Sequence, residues 1–160
     1  MAIMIFLISA MLQTAPLPPA TWKERNQPDM PVLQPCQISE GSKVVHSIKQ
    51  LPNDVSAELA RFFNDAVPMS DASGPFNSTD VISGPIPQRR FVRAYQSGRY
   101  WIIWYEQGGS VGGLRTIALH RNARRDGSSP LFQAVPGSLF AGEPCMATKA
   151  ILAGVRSTLR

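Results

Sequence analysis

RYWIIWYEQGG, residues 99–109, carries Tyr100, Trp101, Trp104 and Tyr105 within six positions, with Ile102 and Ile103 between them. A β-strand turns successive side chains to opposite faces. Tyr100, Ile102 and Trp104 therefore fall on one face, and Trp101, Ile103 and Tyr105 on the other. Both faces are apolar, as in a central strand covered on both sides. If one side is open instead, the rings and nearby arginines make a platform on which bases or sugars stack and anions bind. The fold and the function both depend on which reading holds.

The neighbouring sequence supplies partners for this strand. RFVRAY (90–95) and YWIIWY (100–105) flank Gln96-Ser97-Gly98-Arg99, the pattern of a hairpin. A two-residue turn at Ser97-Gly98 sets Tyr95 opposite Tyr100, Arg93 opposite Ile102 and Phe91 opposite Trp104. Val92 and Ala94 then share the other face with Trp101, Ile103 and Tyr105. QGGSVGG (107–113) leads into a third strand, LRTIALHR (114–121), and the polar RNARRDGSSP precedes a fourth, LFQAV (131–135). Strands in succession without helices between them predict an antiparallel meander. KVVHSIK (43–49) is a further short strand candidate.

Two helices are expected. In NDVSAELARFFNDAV (53–67), Val55, Leu59, Phe62, Phe63 and Ala66 follow a helical period. Asn53 or Asp54 can cap its start, and Pro68 stops it after Val67. The tail from about 146 to 158 places Ile151, Leu152, Val155 and Leu159 near one face. If both helices cover one face of the sheet, the other needs the irregular stretch 68–88, the N-terminal tether, another chain or a ligand. The 68–88 stretch is long for a structureless loop in a compact domain, a length that is often functional; Phe76 and Ile82 are its expected anchors. Its Asn77-Ser78-Thr79 matches a glycosylation sequon by chance.

Residues 2–12, AIMIFLISAML, are apolar and uncharged, too short to cross a bilayer but of the right length for a secretory signal. Residues 1–15 are read as that signal, with cleavage between 15 and 20. In look it is similar to the short signals of Gram-negative exported proteins. Residues 16–35 hold six prolines and form an extended tether. A single α+β domain then spans 36–160, and no transmembrane segment is expected once the signal is removed. Cys36 and Cys145 are the two cysteines, and in an exported chain an even pair reads as one disulfide. Periplasmic or secreted localisation in a bacterium follows.

The chain of 160 residues has a net charge of +5, unevenly spread. Between Arg89 and Arg125 eight arginines stand against one acid, Glu106, whereas between Asn53 and Asp80 five acids stand against Arg61. The basic part suits an anionic ligand or an envelope component. There is no clear nucleic-acid motif. The spacing of Cys36, Cys145, His46 and His120 fits no metal site, and no cofactor is implied. QGGSVGG lacks the Lys-Ser/Thr of a phosphate loop and runs into a strand rather than a helix, so it reads as a flexible connection. No nucleophile elbow is present.

The expectation is thus an α+β protein, a four- to five-stranded antiparallel meander packed by two helices. The first functional expectation is a non-enzymatic binding module using a basic aromatic sheet surface, with Arg90, Arg93, Arg99, Trp101, Tyr105 and Arg115 as contact residues. The alternatives are a small extracytoplasmic hydrolase with Glu106 or His120 in its site, and a structural envelope-associated protein. The sequence does not define the oligomeric state.

Overall fold

The computed structural model describes residues 33–38, 41–65, 67–81, 84–123 and 130–158. The signal segment, most of the tether, Ile82 and Leu159 lie outside these residues. Six strands form one antiparallel sheet: β1 (Lys43–Val45), β2 (Arg89–Ser97), β3 (Tyr100–Gln107), β4 (Gly113–Arg121), β5 (Phe132–Ala134) and β6 (Phe140–Ala141). Their order is β1-β2-β3-β4-β5, with β6 also on β4. The α+β meander is therefore as expected, with one more strand. β5 and β6 act as a single edge interrupted at 135–139. There the Val135 N–H still donates to the Ala118 carbonyl at 2.8 Å, and the Ser138 hydroxyl contacts both the N–H and the carbonyl of Ala118 (3.1 and 3.2 Å).

The hairpin turns at Gly98-Arg99, one residue later than expected, because Ser97 pairs with Tyr100. Gly98 has φ 56°, as the first central position of a type II′ turn requires. Tyr95 faces Ile102 and Arg93 faces Trp104, and then a bulge between Phe91 and Arg93 brings Phe91 opposite Tyr105. A bulge adds one residue to one strand. This one moves Phe91 to the face of Trp101, Ile103 and Tyr105, and Val92 to the face of Trp104.

The helices are α1 (Asn53–Phe63) and α2 (Pro144–Leu152), and they cover opposite faces. This corrects the expectation of one helical layer. Val55 and Leu59 of α1 pack on Phe91, Trp101, Ile103, Ile117 and Leu119. Ile151 of α2 packs with Cys36, Tyr95, Ile102, Trp104 and Ala118. Trp101 is 2% exposed and Trp104 1%. The opening stretch is the middle of the core, and its tryptophans do not form an open platform. The indole N–H of Trp104 donates to Thr148 Oγ1 of α2 at 2.8 Å, and that hydroxyl donates to the Pro144 carbonyl. A buried indole is thereby satisfied.

The Cys36–Cys145 disulfide is present and ties segment 33–38 to the start of α2. The Cys36 N–H donates to the Tyr95 hydroxyl at 3.0 Å, and Arg93 donates to the Leu33 carbonyl at 2.8 Å. The last residues of the expected tether are thus part of the α2-side cover.

Both helices end sooner than their periodicity suggests. α1 stops at Asn64, left-handed at φ 47°, with no side-chain cap at its start. α2 opens with Pro144 in its first turn, its end N–H groups taken by the Glu143 carboxylate. It closes with Gly154 N–H on the Ile151 carbonyl and Val155 N–H on the Ala150 carbonyl, a Schellman ending that Gly154 permits at φ 86°.

Glu58 fixes α1 to the sheet edge. Arg61 donates to both its carboxylate oxygens at 2.6 Å, and the Ala134 N–H of β5 donates at 2.9 Å. Burial pushes this carboxyl up, but the two sets of hydrogen bonds and the Arg61 charge together hold it below the ordinary carboxylate range. Its stabilising contribution is present above the unfolded-chain value and is lost as pH falls through the lower folded value. Glu58→Gln should cost about 2 kcal/mol and flatten the acid limb of stability against pH, measured by urea denaturation.

The described residues of the 68–88 stretch are irregular, as expected, but firmly anchored. Ser70 bridges β2, with its N–H on the Arg89 carbonyl and its carbonyl receiving Phe91 N–H. The Asp71 carboxylate accepts from Ser47 Oγ (2.6 Å) and from the N–H groups of Ile48 and Ala72 (2.9 Å each). It thereby holds the 3₁₀ turn Ile48–Gln50, where the expected strand has already ended. Asn77 is buried, and its amide is engaged with Val81 and Thr79. The 107–113 connection is not a loose one. Gly108 N–H donates to the Gln88 carbonyl, Gly109 N–H to the Ser78 carbonyl, and Ser110 N–H to the Asp80 carboxylate.

Candidate functional site

The six expected contact residues separate into several environments. Trp101 is core. Arg90 lies on the α2 side, where its Nη2 is 2.5 Å from Glu106 Oε2 and its guanidinium stands over Phe76. Arg93, also on that side, is used by Leu33 and stacks over Trp104. Arg99 is exposed at the hairpin tip. Only Tyr105 and Arg115 come together, as a cross-strand pair on the α1 side of β3 and β4.

The two residues weighed for catalysis do not share a site. Glu106 pairs with Leu114 and His120 with Tyr100, at opposite ends of the same ladder. Six residues of strand separate them, about 20 Å. Glu106 is neutralised by Arg90, and His120 Nδ1 lies 3.3 Å from the Gln133 carbonyl. Among the described residues no group of three or more His, Cys, Asp or Glu is placed to hold a metal ion.

The pair Tyr105–Arg115 forms part of a groove at the C-terminal end of α1. Strand register builds its floor. Arg89 faces Gln107 across β2–β3, Tyr105 faces Arg115 across β3–β4, and all four side chains line one hollow of about 540 Å³. Phe62, Phe63, Val111 and Leu139 supply its apolar walls. Phe62 is 41% exposed and Val111 73%. A second hollow of about 430 Å³, lined by Arg61 and residues 133–139, shares Phe62 and Leu139 with the first. Each has a volume usual for a small-molecule site. By contrast, the cavity beneath α1 beside Met69 holds only about 150 Å³.

The charges in the groove are uneven. Arg89 is paired with Asp65 and stacks over Phe63 at 4.3 Å. Arg115 donates to the Val111 carbonyl, and among the described residues it has no carboxylate partner. The site therefore carries one uncompensated positive charge beside apolar walls. Tyr105 packs edge-on against Phe63, with ring centroids 5.1 Å apart. Burial pushes its phenol up to about 12, against the opposing pull of Arg89 and Arg115 and with a small push from Asp65. The phenol is thus a neutral donor throughout the physiological range.

This shift predicts an alkaline limb of stability. The unfolded phenol titrates near about 10, so the contribution is full below that value and is lost as pH rises to about 12. The loss amounts to about 2–3 kcal/mol once complete. Tyr105→Phe should remove this limb in denaturation curves taken between about pH 9 and 12.

Arg89 belongs to the site and was missed in the sequence. The bulge in β2 conceals it, because strict alternation does not place Phe91 and Tyr105 side by side. Once the bulge is known, Arg89 follows as the residue two before Phe91. Phe62 and Phe63 were legible only as an apolar helix face. Comparison with known proteins adds no family: no family model matches the chain, and no curated protein or solved structure matches it.

Proposed function

We propose that this protein is a non-enzymatic binding module, acting outside the cytoplasm, that takes an anionic, partly apolar ligand in the groove at the end of α1. The observation that carries this reading is Arg115, lacking a carboxylate partner among the described residues, beside Tyr105 and the exposed rings and aliphatic groups of Phe62 and Val111. The disulfide supports an oxidising compartment, and the apolar segment 2–12 supports export to the periplasm or beyond. A catalytic reading finds less support, since Glu106 is held in an ion pair.

The test is binding of 1-anilinonaphthalene-8-sulfonate, an anionic apolar fluorophore, to the folded, oxidised protein. Wild type should enhance its fluorescence saturably, and Arg115→Gln should weaken binding roughly tenfold with unchanged circular dichroism. Equal binding by the variant would remove the groove from consideration.

A further inference from the structure

We propose that the ligand of this groove is a monoanionic carboxylate on a linear apolar chain, its head between Arg115 and Tyr105 and its tail along Phe62 and Leu139. This rests on the groove being the binding site and names its ligand class. Charge complementarity selects the head. Asp65 already neutralises Arg89, so the site has one positive charge, on Arg115, to offset. A carboxylate matches it, and the planar guanidinium fork suits two carboxylate oxygens. A phosphate dianion would bring a second negative charge toward the Asp65 carboxylate that pairs with Arg89, and among the described residues lining the hollow Arg115 alone is a cation without a carboxylate partner. Tyr105, itself only 2% exposed, forms the floor of the groove beneath this head.

Continuity of the groove selects the tail. The hollow holding Arg115 and Tyr105 and the hollow lined by Ala134, Val135 and Pro136 have Phe62 and Leu139 in common. An extended chain leaving the head passes between these two side chains and covers apolar surface that is otherwise open, with Phe62 41% exposed. Water released from that surface favours binding in proportion to the area covered. A short acid gains the head contact alone, and an alcohol of the same length the tail contact alone.

Titration calorimetry on the oxidised protein separates these contributions, using decanoate below its micelle concentration, decanol and acetate. Decanoate should bind at one site, and decanol and acetate each roughly tenfold or more weakly. Arg115→Gln and Phe62→Asp should each weaken decanoate by a similar factor, whereas Arg99→Gln, at the far hairpin tip, should leave it unchanged. No decanoate binding, equal binding by Arg115→Gln, or acetate as tight as decanoate overturns the proposal. Displacement of the anilinonaphthalene probe distinguishes the two levels of failure. If the probe binds through Arg115 but decanoate does not displace it, the ligand class is wrong and the groove stands. If the probe binds independently of Arg115, the groove itself is wrong.

Discussion

Replacing both cysteines with serine should destabilise the protein by about 4–5 kcal/mol, a large share of the stability of a domain this size. Cys36 and Cys145 are 109 residues apart, so the bond closes a long loop and removes many conformations from the unfolded chain. The loss also has a local signature. Segment 33–38 covers the Tyr95 and Trp104 side of the sheet, together with α2. Without the bond, the segment is still held by Cys36 N–H on Tyr95, by Arg93 on Leu33 and by the packing of Leu33 and Ile38. Trp104 should become more accessible to acrylamide in the double variant, while Trp101, under α1, should not. Urea denaturation gives the energy, and quenching of single-tryptophan variants gives the location. Unchanged stability would mean that the segment and α2 are held chiefly by packing.

Gly108→Ala should cost about 4 kcal/mol, at the upper end for overpacking by one methyl group. A Cβ at Gly108 would overlap the Asn77 carbonyl oxygen and come within 3.0 Å of its carbonyl carbon. Both are backbone atoms, so no rotamer change relieves the clash. The loop is also tied by the Asn77 side chain, whose Nδ2 donates to the Val81 carbonyl and whose Oδ1 accepts from the Thr79 N–H. Relief requires the 77–80 loop to separate from the 107–113 connection, losing the bond from Gly109 N–H to the Ser78 carbonyl. Gly98→Ala is the control. It has open space around the added carbon but a positive φ of 56°, so it should cost only about 1–2 kcal/mol. Thermal denaturation of the two variants should rank them in that order, with Gly108→Ala lower by roughly 10 °C.

The parts of this fold that sequence reading recovered are those governed by local periodicity. Alternation in YWIIWY identified a strand with two apolar faces, and both are buried. The spacing of Val55, Leu59 and Phe63 identified α1, and the two cysteines identified the tie between the ends of the domain. What remained hidden depends on non-local geometry. Nothing near Phe91 marks the bulge, yet the bulge decides which of the β2 side chains face α1. The assignment of one helix to each face comes from chain crossing, which helical periodicity does not encode. Helix ends at Asn64 and Gly154 depend on left-handed residues that periodicity extends past. Of the candidate site, Tyr105 and Arg115 were legible individually, because a strand end and a basic run single them out. Their joining with Arg89 and Phe62 required the register of three strands and the end of α1.

The central claim is that the Arg115–Tyr105 groove, and not the arginines elsewhere on the sheet, receives the ligand. Two-dimensional ¹H–¹⁵N correlation spectra covering the arginine Nε–H and glutamine side-chain groups test it directly during titration with decanoate. The account expects the Arg89, Arg115 and Gln107 side-chain signals and the Val111 amide to move together and saturate, with Arg99 and Arg121 unmoved. Saturable shifts at Arg99 and Arg121, with Arg115 and Gln107 still, would contradict it.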